Sequence, residues 1–288
     1  MNHQQKGPLT GRTGKVLREH HLKPKKSLGQ NFLTDARVLE KMVAAANVDV
    51  NTGVLEVGPG LGALTEQLAQ RAGAVVAIEI DQRLIPVLRQ EFTGMDHVHI
   101  EWGDILTLDV KKLMMQYFKG SERVVVVANL PYYITSPVMM RLLELTFPFD
   151  CLVLMIQKEM AERLLASPGH KDYGLLTIAV KYYAAAEMIT RVPAHVFIPR
   201  PKVDSAVIRL TPHPVPPVRV ESEEQFFRIV RAGFKERRKT LANNFKSHLF
   251  PDWDKTRINE WLNQLHIDPS RRAETLSLEE FARISNAL

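Results

Sequence analysis

The segment Val54-Leu-Glu-Val-Gly-Pro-Gly-Leu-Gly-Ala63 joins a short apolar run to a glycine-rich turn. The apolar run is typical of a buried strand, and the turn lets backbone approach a ligand closely before a helix begins. The amides at the start of such a helix attract negatively charged groups. The segment therefore predicts a nucleotide-type cofactor, although Gly58, Gly60 and Ala63 fit the pattern of NAD enzymes equally well.

Apolar runs elsewhere in the chain alternate with amphipathic stretches, which predicts parallel strands covered by helices in an α/β fold. Two later runs, 184–192 and 204–210, predict an antiparallel pair, because alternate residues of the second run are apolar. The runs that we predict as buried parallel strands are 54–57, 75–78, 98–100, 124–127 and 152–156.

The proline-rich segment Thr211-Pro-His-Pro-Val-Pro-Pro217 predicts a linker, because proline cannot continue a strand ladder. Only helical patterns follow it. We therefore expect a basic N-terminal arm over residues 1–24, a larger domain over 25–211 and a small all-helical domain over 218–288.

The composition limits the possible functions. With 288 residues, 45% of them hydrophobic, the chain can form a core in two unequal domains. No apolar run approaches the roughly 18 residues that span a membrane. Cys151 is the single cysteine, so there is no disulfide framework and no Cys/His cluster with zinc spacing. We expect a cytoplasmic protein without a metal site or a membrane segment.

Basic residues are concentrated in two places within a chain of net charge +6. The first is the N-terminal arm, which contains Lys6 and Arg12, together with Lys25 and Lys26 directly after it. The second is Lys235-Glu-Arg-Arg-Lys239, which we expect on a helix. Each cluster alone also fits a solvated helix face. Because cationic side chains bind phosphates, we predict contacts with nucleic acid there. The predicted contacts are Lys25, Lys26, Lys235, Arg237, Arg238 and Lys239.

Two carboxylates follow the second and third predicted strands. Glu79 stands where a carboxylate can accept hydrogen bonds from both ribose hydroxyls of a nucleotide. Asp104 can accept from an adenine amino group while Ile105 packs on the ring. Glu79 fits NAD and other adenosine cofactors alike. Asp104 is the first residue along the chain that helps to distinguish between these cofactors.

The fourth predicted strand ends in Asn129-Leu-Pro-Tyr-Tyr133, which is suited to holding a planar amine. An adenine amino nitrogen is a poor nucleophile, because its lone pair is delocalised into the ring. If the Asn129 side-chain oxygen and the Leu130 carbonyl each accept one N–H, the lone pair is aimed at a methyl donor. Pro131 offers no competing N–H, and Tyr132 can stack on the base. The motif favours methyl transfer from S-adenosylmethionine to adenine.

With these residues, the chain resembles the ribosomal RNA adenine dimethyltransferase family, in its bacterial small-subunit branch. The resemblance implies a Rossmann-like S-adenosylmethionine-dependent methyltransferase fold. That fold has a mostly parallel seven-stranded sheet with an antiparallel last strand, followed by a small C-terminal all-helical domain. The matching segments are Lys25-Lys-Ser-Leu-Gly-Gln-Asn-Phe-Leu33, Glu56-Val-Gly-Pro-Gly-Leu-Gly62, Glu79-Ile-Asp81, Asn129-Leu-Pro-Tyr-Tyr133 and Phe197-Ile-Pro-Arg-Pro-Lys-Val-Asp-Ser205.

The resemblance also implies an activity: N6,N6-dimethylation of two adjacent adenosines in a hairpin loop near the 3′ end of 16S rRNA, within the small-subunit precursor. Residues 25–211 would be the catalytic domain and 218–288 the RNA- and ribosome-binding domain of a monomer. Phe197 would form a second aromatic wall opposite Tyr132, whereas without the family pattern it fits a core residue at a strand edge. The implied cofactor-binding residues are Asn31, Leu33, Gly58, Gly60, Glu79, Asp104, Ile105 and Asn129; the implied catalytic residues are Asn129, Leu130, Pro131, Tyr132 and Phe197.

Three alternatives stay open at this point. A relative that dimethylates an adenine of large-subunit rRNA and confers macrolide resistance would share fold and chemistry. A ribosome-assembly factor would bind RNA without catalysis. An NAD-dependent dehydrogenase would share the glycine turn and Glu79, but it needs a hydride-handling side chain near the fourth strand, where Asn129-Leu-Pro-Tyr132 stands instead.

Overall fold

A computed structural model describes residues 9–145 and 147–288 of the chain, with side chains from residue 13 onward. Residues 1–8, including Lys6 of the predicted arm, lie outside the described residues, as does the side chain of Arg12.

Seven strands form one mixed sheet, and two short strands form a separate ribbon. The apolar runs become strands because they can be buried on both faces, as a central parallel sheet requires. The strands are β1 (Phe32–Leu33), β2 (Thr52–Val57), β3 (Ala74–Glu79), β4 (Val98–Trp102), β5 (Arg123–Asn129), β6 (Cys151–Gln157), β7 (Ala184–Val192), β8 (Phe197–Ile198) and β9 (Ser205–Pro212).

The large sheet has the order β4-β3-β2-β5-β6-β9-β7. Adjacent strands from β4 to β6 run parallel, and β9 runs antiparallel to β6. The predicted seven-stranded sheet with an antiparallel last strand is therefore confirmed. β9 continues to Pro212, two residues beyond the predicted end of this strand at residue 210, and the strand ends at that proline, which has no N–H to donate to a ladder. The ribbon pairs β1 with β8 and was not predicted.

Helices cover the sheet and form the C-terminal region. Several begin at a side chain that caps the first turn, as Asp35 does by accepting a hydrogen bond from the Arg37 amide at 2.9 Å. The helices are α1 (Leu9–Glu19), α2 (Ala36–Ala45), α3 (Ala63–Ala69), α4 (Ile85–Glu91), α5 (Val110–Tyr117), α6 (Thr135–Glu144), α7 (Lys158–Leu164), α8 (Leu175–Tyr183), α9 (Glu223–Gly233), α10 (Leu241–His248), α11 (Lys255–Gln264) and α12 (Leu278–Ser285).

The chain forms two compact units. The first contains the sheet and comprises residues up to 161 together with 187–212. The second comprises residues 162–186 and 213–288, so α8 packs with the C-terminal helices although the sequence analysis placed this segment in the larger domain. The reason is its apolar face, on which Tyr182 stacks with Phe226 at a centroid distance of 5.2 Å.

The basic segment 235–239 is not helical, so that part of the prediction was wrong. It forms a turn between α9 and α10. Asn244 of α10 fixes the turn, because its side chain accepts a hydrogen bond from the Glu236 amide at 3.1 Å and donates to the carbonyls of Gly233 and Glu236. None of the helices in the part of the chain that the structure describes combines the length and the hydrophobicity that a membrane span requires.

Candidate active site

A cavity opens at the edge of the large sheet where β2, β3, β4 and β5 end. Its empty volume, including the open mouth, is about 1090 Å³. Parallel strands present their carboxyl ends at one edge, which is where α/β sheets usually bind ligands. The cavity brings together these predicted residues: Asn31, Leu33, Gly58, Gly60, Glu79, Asp104, Ile105, Asn129, Leu130, Pro131 and Tyr132.

The glycine turn after β2 forms one wall of the cavity. Gly58 and Gly60 have φ angles of 71° and 59°, in the left-handed region that favours glycine. A Cβ added to Gly60 would lie 3.1 Å from ring carbons of Phe32. At Gly58 and Gly60 no side chain therefore separates the backbone of the turn from a ligand in the cavity.

Glu79, at the end of β3, is fixed by two backbone amides. Its carboxylate accepts hydrogen bonds from Gly60 at 3.1 Å and from Asp81 at 2.8 Å. The side chain is buried, and this burial raises the pKa of its carboxyl. Glu79 thus ties the glycine turn to β3 while it lines the cavity.

Asp104 and Ile105 follow β4 and line the same cavity. One carboxylate oxygen of Asp104 accepts a hydrogen bond from the Leu106 amide at 2.8 Å, which orients the side chain. Ile105 is buried beside it. This pairing provides an acceptor next to an apolar surface, as an adenine ring requires.

Asn129 stands at the tip of β5 with its amide group oriented. Its Nδ2 donates to the Asn31 carbonyl at 3.2 Å, so Oδ1 is left as an acceptor. Within residues 9–145 and 147–288, no hydrogen bond ends on Oδ1 of Asn129 or on the Leu130 carbonyl. Two oxygen acceptors without partners therefore lie in adjacent residues of the cavity wall.

Two tyrosines continue this wall. The Tyr132 hydroxyl shares a hydrogen bond of 2.7 Å with Ser205 of β9, and burial raises the pKa of the phenol. That bond fixes the ring within the cavity wall. Tyr133 is 56% exposed and also lines the cavity, so it offers an aromatic surface to a molecule arriving from solvent.

Phe197 lies elsewhere. It is 3% exposed, belongs to β8 and pairs with Leu33 in the ribbon. It packs in a core cluster with residues of α2, β5 and β6, and it does not line the cavity. The structure thus places it as a core residue at a strand edge.

Lys25 and Lys26, the predicted RNA contacts of the first unit, differ in their surroundings. Lys25 Nζ lies 3.5 Å from the Asp81 carboxylate, which also accepts from Gln30 at 2.9 Å and from Arg83 at 2.7 Å. Hydrogen bonding from Arg83 holds the pKa of Asp81 far below its usual range. This network anchors the segment before Asn31, whereas Lys26 is exposed.

The turn 235–239 also contains both paired and unpaired cations. Glu236 contacts Lys239 at 3.0 Å and His248 at 3.1 Å, and Arg237 donates to the Lys171 carbonyl. Lys235 and Arg238 are exposed, and no ion pair to either is found among the described residues. Lys235 and Arg238 are therefore the residues of this turn that are available to a phosphate.

Glu56, in β2, is a site residue that the sequence analysis missed. It is 1% exposed and lines the cavity, and neither carboxyl oxygen has a hydrogen-bond partner among the described residues. Burial raises the pKa of this carboxyl to about 8, against an opposing effect of the nearby Thr65 hydroxyl. A buried acid without a partner fits a cavity that receives a positively charged group.

We expect Glu56→Gln to raise the free energy of unfolding, and more so at about pH 8 than at about pH 5. The folded protein holds the Glu56 proton up to a pKa of about 8, whereas the ordinary value is 4.5. The free energy of unfolding of the unaltered protein thus falls between these values as pH rises, by up to about 1.4 kcal/mol per unit. The variant does not show this fall in the free energy of unfolding, because glutamine has no titratable proton.

Denaturant unfolding of both proteins across this pH range measures the difference. Glu40→Gln, on the exposed face of α2, is the matched control, because it makes the same substitution where the side chain faces water. A difference that stays constant with pH would contradict a buried, protonated Glu56.

Comparison with known proteins gives a consistent result. The family model described as "Ribosomal RNA adenine dimethylase" matches residues 21–288. A protein of Geobacillus thermodenitrificans (strain NG80-2), named "Ribosomal RNA small subunit methyltransferase A", is 52% identical over 280 residues, which cover 96% of this chain and 95% of the relative. A Bacillus pumilus (strain SAFR-032) protein of the same name is 50% identical over 279 residues, covering 96% and 95%.

Two solved structures resemble the chain over most of its length. A dimethyladenosine transferase from Plasmodium falciparum superposes with a TM-score of 0.72 at 28% identity, covering 88% of this chain and 95% of that one. The 23S rRNA methyltransferase ErmE superposes with a TM-score of 0.66 at 26% identity, covering 90% and 99%.

Proposed function

The chain belongs to the ribosomal RNA adenine dimethylase family, and from this premise we propose that it methylates 16S rRNA in the small-subunit precursor. The substrates are the N6 amino groups of two adjacent adenosines in a hairpin loop near the 3′ end, and the product is N6,N6-dimethyladenosine. S-adenosylmethionine is the methyl donor. The observation that carries the proposal is a pair of acceptors at the tip of β5, Asn129 Oδ1 and the Leu130 carbonyl, to which no described residue donates.

Two features of the cavity support S-adenosylmethionine as its ligand. The glycine turn leaves room for close approach, and the buried Glu56, whose carboxyl has no hydrogen-bond partner among the described residues, suits a cationic ligand. When bound, the cofactor supplies a methyl group made electrophilic by a sulfonium. The residues that would hold it are Asn31, Leu33, Gly58, Gly60, Glu79, Asp104, Ile105 and Asn129.

The side chains at the tip of β5 act mainly by orientation. Asn129 Oδ1 and the Leu130 carbonyl accept the two N–H bonds of the adenine amine, so its lone pair faces the methyl group. The same acceptors stabilise the positive charge that develops on nitrogen as the N–C bond forms and the C–S bond breaks. The charged nitrogen then loses its proton to water, so the reaction needs no strong base. Tyr132 supports the base by stacking.

Phe197 keeps a predicted role in base binding. In the structure it is buried in the ribbon formed by β1 and β8. A contact with the base therefore requires the ribbon to shift when RNA binds. A loop adenosine suits such a pocket, because a partly unstacked base costs little to extrude.

We also propose how the RNA is held. Lys26, Lys235 and Arg238 are exposed and would contact phosphates, with Lys25, Arg237 and Lys239 contributing once their intramolecular partners are displaced. Residues 25–211 and 218–288 keep their proposed catalytic and ribosome-binding roles, and residues 1–24 that of a basic arm. The protein would act as a monomer in the cytoplasm.

The test of this proposal supplies labelled methyl donor to unmethylated small subunits and, separately, to large subunits, followed by mapping of modified nucleotides. We expect label in two adjacent adenosines of small-subunit RNA. Label in large-subunit RNA alone would favour the activity for which ErmE is named. Small-subunit binding without label would favour a non-catalytic assembly factor.

A further inference from the structure

Helix α1 is amphipathic, and its apolar face points toward the body of the first unit. Thr13, Val16 and Leu17 lie on one side at helical spacing, and they are buried or half-buried. Lys15 and Glu19 lie on the other side and are exposed, with a salt bridge of 3.6 Å between them. A helix with such a face is held by packing.

The surface on which α1 packs adjoins the cofactor cavity. Val16 and Leu17 contact a core cluster built from β1, β3, β4 and α4, together with the glycine turn. Phe32 and Leu61 belong both to this cluster and to the lining of the cavity. The helix is therefore attached to the outer side of a cavity wall.

Thr13, one turn before Val16, reaches the cavity itself. Its side chain is 5% exposed and lines the cavity together with Ile80 and Glu79 at the end of β3. The segment that follows α1 is tied to the same region, because Arg83 donates to the Lys23 carbonyl at 3.4 Å. α1 thus completes the cavity near the ends of β3 and β4.

This helix is not part of the region matched by the family model, which begins at residue 21. Among the side chains of α1 that the structure describes, Val16 and Leu17 pack on the surface of a cluster that the rest of the unit already forms, and both are only half-buried. An element attached in this way can open at a lower free-energy cost than the sheet below it.

We infer that α1 is a cover that retains the cofactor, with the Thr13 side chain touching the adenosine moiety and the Val16–Leu17 face holding the helix closed. The inference rests on the proposed function, because it takes the cavity as the S-adenosylmethionine site. Opening of α1 lets S-adenosylhomocysteine leave between successive methyl transfers, so the docking of α1 governs the rate of product release.

The test measures dissociation of labelled S-adenosylhomocysteine, chased by excess unlabelled compound, in the full chain without RNA. The double substitution Val16→Ser with Leu17→Ser is compared with the matched control Lys15→Ser with Glu19→Ser on the exposed face. We expect the first to accelerate dissociation by about tenfold or more and the control to stay within about twofold. Thr13→Val, which removes only the hydroxyl, should accelerate dissociation by a smaller factor.

Hydrogen exchange gives a second readout, in which ligand should slow exchange of the α1 amides in the unaltered protein and not in the Val16→Ser, Leu17→Ser variant. Equal dissociation rates in the two double variants, or unchanged exchange in α1, would overturn the inference. Failure of the unaltered protein to bind S-adenosylhomocysteine at all would instead count against the proposed function.

Discussion

Asn129→Ala is expected to lower the rate of methyl transfer by about a hundredfold to a thousandfold, the size of effect seen when one preorganised polar contact to a reacting group is removed. The substitution removes Oδ1, one of the two acceptors at the tip of β5, so the adenine amine is no longer oriented. Binding of the small-subunit particle should change little. Single-turnover methylation at saturating donor measures the effect.

The side chain of Asn129 also donates to the Asn31 carbonyl, so the variant needs a control for structure. Asn129→Asp keeps an oxygen acceptor but loses that donor, and we expect it to retain more activity than Asn129→Ala. Calorimetry with S-adenosylhomocysteine reports whether the cofactor cavity is intact. Equal losses in methyl transfer and in particle binding would show that Asn129 is merely structural.

Glu79→Ala is expected to weaken cofactor binding by about a hundredfold. The carboxylate is proposed to accept hydrogen bonds from the ribose hydroxyls, and each hydrogen bond to a charged group contributes about 1.5–3 kcal/mol. The substitution also leaves the amides of Gly60 and Asp81 without their acceptor, which loosens the glycine turn. Titration calorimetry with S-adenosylhomocysteine measures the affinity.

A conservative variant separates the two causes. Glu79→Gln keeps an oxygen that can accept from one of the two amides but removes the charge, so its affinity should fall between those of the other two proteins. Unchanged affinity in Glu79→Ala would remove this residue from the cofactor site.

The sheet and most of the cavity could be predicted because their signals are local. An apolar run followed by glycines or by a polar residue marks the carboxyl end of a strand, and parallel strands bring such ends together. Gly58, Glu79, Asp104 and Asn129 are each found this way, and all four line one cavity.

The remaining features depend on contacts that are distant in sequence. Burial of Phe197 follows from its pairing with Leu33, which no local pattern indicates. The segment 235–239 forms a turn because Asn244 of α10 binds the Glu236 amide, whereas its charge pattern had predicted a helix. Glu56 lies within the recognised motif, but only the folded structure shows that its carboxyl is buried and has no hydrogen-bond partner among the described residues.

The position of the target amine shows whether the two acceptors at the tip of β5 orient it. It can be measured in an experimental structure of the protein with S-adenosylhomocysteine and an RNA loop that contains the target adenosine. We expect the adenine N6 atom within about 3.2 Å of both Asn129 Oδ1 and the Leu130 carbonyl oxygen. An adenine bound away from β5, or an Asn129 amide that turns its oxygen into the protein interior, would show that these acceptors do not orient the amine.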